Sequence, residues 1–425
     1  MTIQDCFPPL RLAIIFPIQN KRIQCMDNHV ALIIVTLLIF SFGLLSKLSE
    51  RSPITDAMVF LTVGLLASPV GFNSINVLID TEIVKTLAEI TLIIILFVDA
   101  SYLRFCNLRN MLSGIPARLL LIGLPLTMVV GTLTAQLFFP TYSLWALALL
   151  ALILSPTDAA LGQAVVQSKQ VPKRIRDAIS IESGLNDGIA LPPILMCISV
   201  LASSVATIEN ESYWLSFVAA QLILGPIVGG LIGHFGGKIV DYSTRKNWMS
   251  HTFHHLLSFV LAIAAYSAAE MIEGNGFIAA FFAGLMFTTK IPQVRVQMQE
   301  FSEAQGKLFA LIIFFLFGLV CIPTFYSYWD MSTLMYAILS LTLLRMLPVM
   351  LALIGVKIDF YSKIFIAWFG PRGIASILYL LIAIDELTTT GYEKLMSVIV
   401  LTVMLSVFAH GITAVFMSKK FDPLA

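Results

Sequence analysis

Three carboxylates stand inside long apolar stretches of this sequence, where packing alone does not explain them. Asp158 follows a proline in LALILSPTDAALGQAVV, and Glu182 and Asp187 lie in RDAISIESGLNDGIALPP. An ionisable side chain in such a stretch is expensive to bury and is a functional candidate by default. Carboxylates take up and release protons, and their oxygens bind hard cations. These acids therefore predict a site for a proton, a cation or both.

The spacing of residues around Asp187 gives one helix face two polar groups. Ser183 and Asp187 are four residues apart, as are Glu182 and Asn186, so each pair shares a face of an α-helix. One face therefore presents a hydroxyl group beside a carboxylate. Asn186 is neutral at a position where a second acid would add another titrating charge.

A helix break is predicted just before Asp158. Pro156 has no N–H to donate and its ring blocks the preceding turn, so a backbone carbonyl near Thr157 is freed. Hard oxygen ligands suit a hard cation, and the sparse negative charge favours a monovalent cation over calcium. The predicted ligands of this cation are oxygens of Asp187, Asp158, Ser183 and Thr157, with Asn186 beside them.

Proton and cation would compete for the same oxygens at a buried carboxylate. A carboxyl group in apolar surroundings holds its proton more tightly than it does in water, whereas a bound cation favours the ionised form. Such competition couples opposite fluxes without any separate device. One carboxylate that exchanges one proton for one cation predicts an electroneutral cycle.

Two arginines in apolar stretches need partners of opposite charge. Arg372 lies in IFIAWFGPRGIASILYLLIAI, where the run from Gly370 to Gly373 interrupts the helical pattern, and Arg345 lies in the apolar stretch before it. Breaking a buried ion pair leaves an uncompensated charge, so such groups are normally paired. We predict that Glu182 and Arg372, with Arg345 close by, form a structural ion pair near the site.

Two more acids fall in an earlier apolar stretch, at Glu89 and Asp99. Glu89 is predicted to line the outer end of a cation path. Asp99 is predicted to lie near the inner interface of the membrane, where Arg104, five residues later, can pair with it.

The elements that must position these side chains are membrane helices. Only 12% of the 425 residues are charged and 58% are apolar, whereas a soluble domain carries about 25% charged residues. This composition excludes soluble, disordered, collagenous and coiled-coil proteins. A helix needs about 20 apolar residues to cross the hydrocarbon core, and windows of that length predict an all-α polytopic membrane protein. Its thirteen spans are predicted at 29–47, 54–71, 84–104, 113–138, 143–167, 177–204, 213–238, 252–272, 275–290, 307–327, 332–355, 361–386 and 394–418.

The distribution of basic residues predicts the orientation of these spans. Most of the 26 Lys and Arg residues fall on one side of the membrane, and that side is normally cytoplasmic. The N-terminus is therefore predicted outside and the C-terminus in the cytoplasm, with a bacterial inner membrane as the expected location. The first 28 residues are predicted to be an N-terminal tail, in which Met26 is an alternative start.

The two predicted helix breaks occupy corresponding places in the chain. They fall in spans 5 and 12, which are the fifth spans of two six-span halves if span 7 joins those halves. Paired interruptions of this kind mark the midplane site of transporters built from inverted repeats. The predicted organisation is a first repeat over 29–204, a linker helix over 213–238, a second repeat over 252–418 and a cytoplasmic tail over 419–425.

These motifs together resemble the monovalent cation–proton antiporters, and most of all the electroneutral sodium–proton exchanger branch. The resemblance rests on the thirteen spans, the TD of the broken helix, ESxxND in the next span and the late GPRG. It extends over Asn28–Met417 and includes LAEITLIIILFVDAS, GNGFIAAFFAGLMF and FFLFGL. The resemblance implies that Asp187 carries the exchange and that the protein is a homodimer with core and dimerisation domains.

The resemblance also implies roles for other residues of the predicted site. Ser183, Asp158 and the Thr157 carbonyl would be cation ligands. Glu182 would pair with Arg372, and Arg345 would match the arginine that the family carries in span 11.

Other functions remain open at this point. The exchanged cation is expected to be sodium, with lithium as a further candidate, but a potassium–proton antiporter would use the same mechanism. A cation channel or a sensor on the same fold is an alternative from another class. No HExxH or GxSxG motif suggests an enzyme, and no cofactor is predicted. The net charge of +1 argues against a nucleic-acid partner, which leaves membrane lipid and a second copy of the chain.

Two further patterns are predicted to be structural. The glycines at 225, 229, 233 and 237 form a stripe of small residues, which we expect to pack within the protomer rather than at a dimer contact. His251, His254 and His255 are expected to be a solvated helix start rather than a pH sensor or a metal site.

Overall fold

The structure is a computed structural model that describes most of the chain. The described residues are 33–44, 54–72, 81–102, 114–158, 161, 165, 168, 170–202, 211–287, 289, 291–387 and 391–421. Within them the regular elements are all helical, and no strand is present. The predicted all-α class is therefore confirmed.

The described helices are labelled in chain order, and the number of thirteen spans stays a prediction. They are α1 Ile33–Leu44, α2 Asp56–Ala67, α3 Thr81–Tyr102, α4 Ile115–Phe138, α5 Leu144–Ile153, α6 Lys173–Ala202, α7 Glu211–Arg245, α8 His251–Glu270, α9 Gly276–Met286, α10 Pro292–Tyr328, α11 Met331–Ala352, α12 Phe360–Trp368, α13 Ile374–Glu386 and α14 Glu393–Lys419.

Seven of the described helices contain a stretch long and apolar enough to cross a membrane. They are α4, α6, α7, α8, α10, α11 and α14. Shorter apolar helices, among them α5 and α9, lie between them. The chain is therefore an integral membrane protein. The division into two repeats stays a prediction, and the predicted N-terminal tail lies outside the described residues.

The short helix α9 is buried at the centre of the bundle, where glycines let its neighbours approach closely. A Cβ atom built on Gly229 or Gly233 of α7 would lie 2.0 or 2.2 Å from the backbone oxygen of Ala279 or Ala283. Real Cβ atoms do not come so close to another heavy atom, so only glycine allows this contact. The glycine stripe therefore packs within the protomer at these positions, as predicted.

Replacing Gly229 with Ala is expected to destabilise the fold, because the new methyl group would meet the backbone of α9. Overpacking of this kind costs about 1–3 kcal/mol. Gly230→Ala is the matched control, since its Cβ would have no neighbour nearer than the Met286 side chain at 3.8 Å, and Ala is the better helix former. Thermal midpoints of the two purified variants in detergent test the difference. Equal midpoints would contradict this prediction, because α7 and α9 would then be able to move apart and accept the methyl group.

His254, in the first turn of α8, is buried rather than solvated, so that prediction is wrong for this residue. Its side chain is only 4% exposed. Its Nε2 lies 3.3 Å from the Thr244 hydroxyl and its Nδ1 lies 3.2 Å from Oε1 of Gln297. The last turn of α7 and the first turns of α10 therefore cover this imidazole. The spacing of residues along α8 alone does not reveal this contact. The side chain of His251 lies outside the described residues, which contain no cluster of three potential metal ligands.

Candidate functional site

The first helix break lies at the end of α5, where it was predicted. The helix ends at Ile153, three residues before Pro156. The proline cannot donate to the carbonyl of Leu152, and the Ser155 N–H bonds this oxygen instead at 3.2 Å. The chain then runs without helical structure through Asp158. The short polar segment Ser155–Asp158 is completely buried in protein, the setting in which a broken membrane helix is tolerated.

The second break separates α12 from α13 and was also predicted. The helix α12 ends at Trp368, and α13 begins at Ile374. Between them Gly370, Pro371 and Gly373 prevent a continuous helix, and every residue from 369 to 373 is buried. Both interrupted helices therefore expose backbone groups inside the bundle.

The two breaks satisfy each other's backbone groups. The Asp158 N–H donates to the carbonyl of Pro371 at 2.8 Å, and the Ile374 N–H donates to Oδ2 of Asp158 at 2.6 Å. The Asp158 carboxylate therefore caps the first turn of α13, where unpaired N–H groups and the helix dipole favour a negative charge. A Cβ on Gly373 would lie 2.0 Å from Oδ2, so glycine is needed for this approach.

Three predicted site residues meet where α6 passes the first break. The Ser183 hydroxyl donates to the Thr157 carbonyl at 2.7 Å and lies 3.1 Å from the Thr157 hydroxyl. Nδ2 of Asn186 donates to the same Thr157 hydroxyl at 2.7 Å. All three side chains are buried. Thr157, at the break, therefore faces two polar side chains of α6 that are three residues apart, whereas the sequence paired Ser183 with Asp187.

Asp187 follows Asn186 on α6, and one of its carboxylate oxygens has no hydrogen-bond partner among the described residues. Its side chain is 4% exposed, and its Oδ1 accepts no hydrogen bond from any residue that the structure describes. The carboxylate interacts electrostatically with those of Asp158 and Asp99. A buried acceptor without a donor is costly, and a proton or a cation on this oxygen would remove that cost. This oxygen could accept either ion, and the role of Asp187 in exchange stays a prediction.

The buried ion pair differs from the predicted one. Glu182 pairs with Arg345 of α11, whose NH2 lies 2.9 and 3.1 Å from the two carboxylate oxygens, and both side chains are 2% exposed. The implied pair of Glu182 with Arg372 is therefore wrong. Gly370 is the physical reason, because a Cβ there would lie 1.8 Å from Nε of Arg345. The missing side chain lets Arg345 pass over the second break and reach Glu182.

Arg372 is instead turned back onto its own loop. Its NH1 donates to the carbonyl of Gly370. Its Nε and NH2 have no hydrogen-bond partner among the described residues, although the side chain is fully buried. This guanidinium is therefore part of the second break and not a direct partner of Glu182.

Glu89 and Asp99 both lie on α3. The half-buried Glu89 interacts electrostatically with Lys85 and Glu270. Asp99 interacts in the same way with Asp158 and Glu303. The path through Glu89 stays a prediction. The predicted partner of Asp99, residue 104, lies outside the described residues.

Sequence reasoning missed the residues of α14 that hold the second break. The Ser406 hydroxyl accepts the Arg372 N–H at 2.7 Å, and Nε2 of His410 lies 3.0 Å from the carbonyl of Trp368. Both side chains are buried. Their four-residue spacing places them on one face of α14, and that spacing in an apolar helix was the signal available in the sequence.

Two interlocked helix breaks beside buried carboxylates define a membrane protein of the discontinuous-helix type. The chain belongs to the sodium/hydrogen exchanger family, since the family model described as "Sodium/hydrogen exchanger, transmembrane" matches residues 34–420. The predicted family resemblance is therefore confirmed.

Relatives of known name are similar over most of this chain. The K(+)/H(+) antiporter NhaP of Alkalimonas amylolytica is 28% identical over 355 residues, which cover 83% of this chain and 60% of that protein. The Na(+)/H(+) antiporter 2 of Zygosaccharomyces rouxii is 24% identical over 375 residues, which cover 84% of this chain and 46% of that protein. The chain thus matches about half of the length of these relatives.

A solved structure shows the same fold. The sodium proton antiporter MjNhaP1 from Methanocaldococcus jannaschii matches with a TM-score of 0.74 and 18% sequence identity. The match covers 94% of this chain and 99% of that one. The helical architecture described above is therefore that of a known antiporter structure.

Proposed function

We propose that this chain exchanges a monovalent cation for a proton across the membrane, by competition of the two ions at Asp187. The observation that carries the proposal is the buried Oδ1 of Asp187, which has no hydrogen-bond donor among the described residues. It lies one residue from Asn186, whose amide contacts Thr157, and four residues from Ser183. A carboxylate, a hydroxyl and a freed carbonyl are suitable ligands for a hard monovalent cation.

The surrounding contacts support an electroneutral cycle. Asp158 accepts the Ile374 N–H at the start of α13, and both the donor and the helix terminus favour a lasting negative charge there. Glu182 is neutralised by Arg345. Of Asp158, Glu182 and Asp187, it is then Asp187 that gains and loses a proton, so one proton leaves for each monovalent cation that binds. Asp158 would contribute its charge to the binding of the cation.

Sodium is the proposed cation, and potassium is the second candidate. The hard oxygen set suits both ions. The sodium proposal follows the motif resemblance described above, whereas the K(+)/H(+) antiporter named above is a specific observation in favour of potassium. We further propose a homodimer in a bacterial inner membrane, with the C-terminus in the cytoplasm.

Proton release from proteoliposomes tests this function. Vesicles containing the full chain and an acidic interior are monitored with a pH-sensitive dye while sodium, potassium or lithium is added outside. We expect dye dequenching with sodium at lower concentrations than with potassium. Dequenching with potassium alone would favour the second candidate, and dequenching with none of the three would overturn the proposed function.

Electroneutrality has its own readout in the same vesicles. The initial rate of sodium-driven dequenching is expected to be the same at several clamped membrane potentials, because no net charge moves in a one-for-one exchange. A rate that follows the potential would overturn the one-for-one stoichiometry. Cation entry without proton movement would indicate a channel.

A further inference from the structure

The hydroxyl of Tyr379 on α13 contacts the backbone of the residue that carries the proposed exchange. The ring is fully buried, and its O–H donates to the backbone carbonyl of Asp187 at 2.7 Å. A buried phenol normally finds some acceptor. Here the acceptor is the carbonyl of Asp187 itself, which connects two helices at the centre of the site.

The part of α6 around Asp187 needs such support from outside. Pro192 and Pro193 lie inside this helix and have no N–H groups to donate to the carbonyls four residues before them. The turn that follows Asp187 therefore lacks two of its internal hydrogen bonds. Nδ2 of Asn275, at the start of α9, lies 3.5 Å from one of the two freed oxygens, that of Gly188. The Tyr379 hydroxyl is the shorter of these two outside contacts.

The helix α13, which carries Tyr379, also bonds Asp158, the other acid of the site. Within α13 the Ile374 N–H bonds the Asp158 carboxylate, and the Ser376 hydroxyl donates to the Ile153 carbonyl at 2.9 Å. Five residues after Ile374, Tyr379 bonds Asp187. An α-helix rises 1.5 Å per residue, so these contacts are spread over about 7.5 Å of one rigid element. The helix α13 thus connects the segments that carry the two acids.

We propose that Tyr379 is a positioning residue, which fixes Asp187 relative to Asp158 by holding the backbone of α6 against α13. The proposal rests on the proposed exchange at Asp187. Cation binding needs several oxygens at defined distances at once, whereas protonation needs one oxygen. Loss of the Tyr379 hydroxyl therefore weakens cation binding and leaves the proton chemistry of Asp187 largely unchanged.

The test compares two buried tyrosines whose hydroxyls bond different backbone carbonyls. Tyr379→Phe removes the contact with Asp187. Tyr336→Phe is the matched control, because Tyr336 is also buried and donates to a backbone carbonyl, that of Gly131 on α4, at 3.0 Å. Purified full-length variants are assayed in proteoliposomes for the KM of the cation that the wild type exchanges, the maximal rate and its pH profile. Thermal midpoints in detergent report on the fold.

We expect Tyr379→Phe to raise the KM about three- to tenfold, the effect of losing one hydrogen bond in a binding site. The maximal rate and its pH profile at saturating cation should stay close to those of the wild type. Tyr336→Phe should keep the KM of the wild type even if its thermal midpoint falls. Cation-induced thermal stabilisation in detergent gives a second measure of affinity, and it should weaken for Tyr379→Phe alone.

The outcomes separate this inference from the function on which it rests. A wild-type protein that exchanges no cation would overturn the proposed function and this inference with it. A wild-type protein that exchanges, together with an unchanged KM for Tyr379→Phe or the same rise for both variants, would overturn the positioning role alone.

Discussion

Replacing Asp187 with Asn is expected to reduce cation–proton exchange to the background of empty vesicles. The amide has nearly the size of the carboxyl group, and the backbone contact with Tyr379 is kept. An amide does not take up and release a proton near neutral pH, and it brings no charge to a cation. Both halves of the exchange therefore fail together, although the fold is retained. Dye dequenching in proteoliposomes measures the loss.

The matched control for this variant is Asp177→Asn. Asp177 lies on the same helix, ten residues before Asp187 and outside the buried site, so its loss should leave exchange intact. In the wild type, protons and cations that compete for one carboxylate make the apparent KM for the cation rise as the pH falls. The rise approaches about tenfold for each unit of pH where the proton is the prevailing ligand. Full exchange by Asp187→Asn would mean that another group carries the proton.

Removing one member of the buried pair between Glu182 and Arg345 should produce the largest loss of stability. Arg345→Gln leaves a carboxylate that is 2% exposed without its partner, and a broken buried pair costs about 3–5 kcal/mol. Because Glu182→Gln removes the charge that is left behind, the double variant should recover much of that loss. Thermal midpoints of the two single variants and the double variant form a double-mutant cycle that gives the coupling energy.

An exposed pair provides the control for that cycle. Lys394 and Asp330 are joined at 2.6 Å but are 23% and 54% exposed, and surface pairs contribute about 0–1 kcal/mol. Lys394→Gln should therefore shift the midpoint far less than Arg345→Gln. Equal shifts, or strictly additive losses in the double variant, would contradict a structural role for the buried pair.

The parts of the site that depend on local sequence were predictable. Pro156 specifies a helix break because it has no N–H to donate, and the run Gly370–Gly373 specifies another through its glycines and proline. Both breaks lie where they were expected. Polar groups of α6 were likewise expected beside the first break, where Ser183 and Asn186 contact Thr157. Such features depend on neighbours along the chain, so a single sequence contains them.

The parts that depend on distant approaches were not predictable. The choice of Arg345 over Arg372 as the partner of Glu182 depends on how closely α11 passes Gly370. The burial of His254 depends on helix ends that meet only in the folded bundle. The contact of Tyr379 with Asp187 joins residues 192 positions apart. Apolar spans predict that helices pack, but they do not specify which side chains meet.

The interlocked breaks have a consequence for how the protein is synthesised. The Ile374 N–H and the Asp158 carboxylate that it bonds are 216 residues apart in the chain. The Asp158 N–H likewise bonds the carbonyl of Pro371, in the same late segment. Unsatisfied backbone groups inside a bilayer cost several kcal/mol each. We therefore expect the segment around the first break to complete its hydrogen bonds only after the segment around the second break has been synthesised.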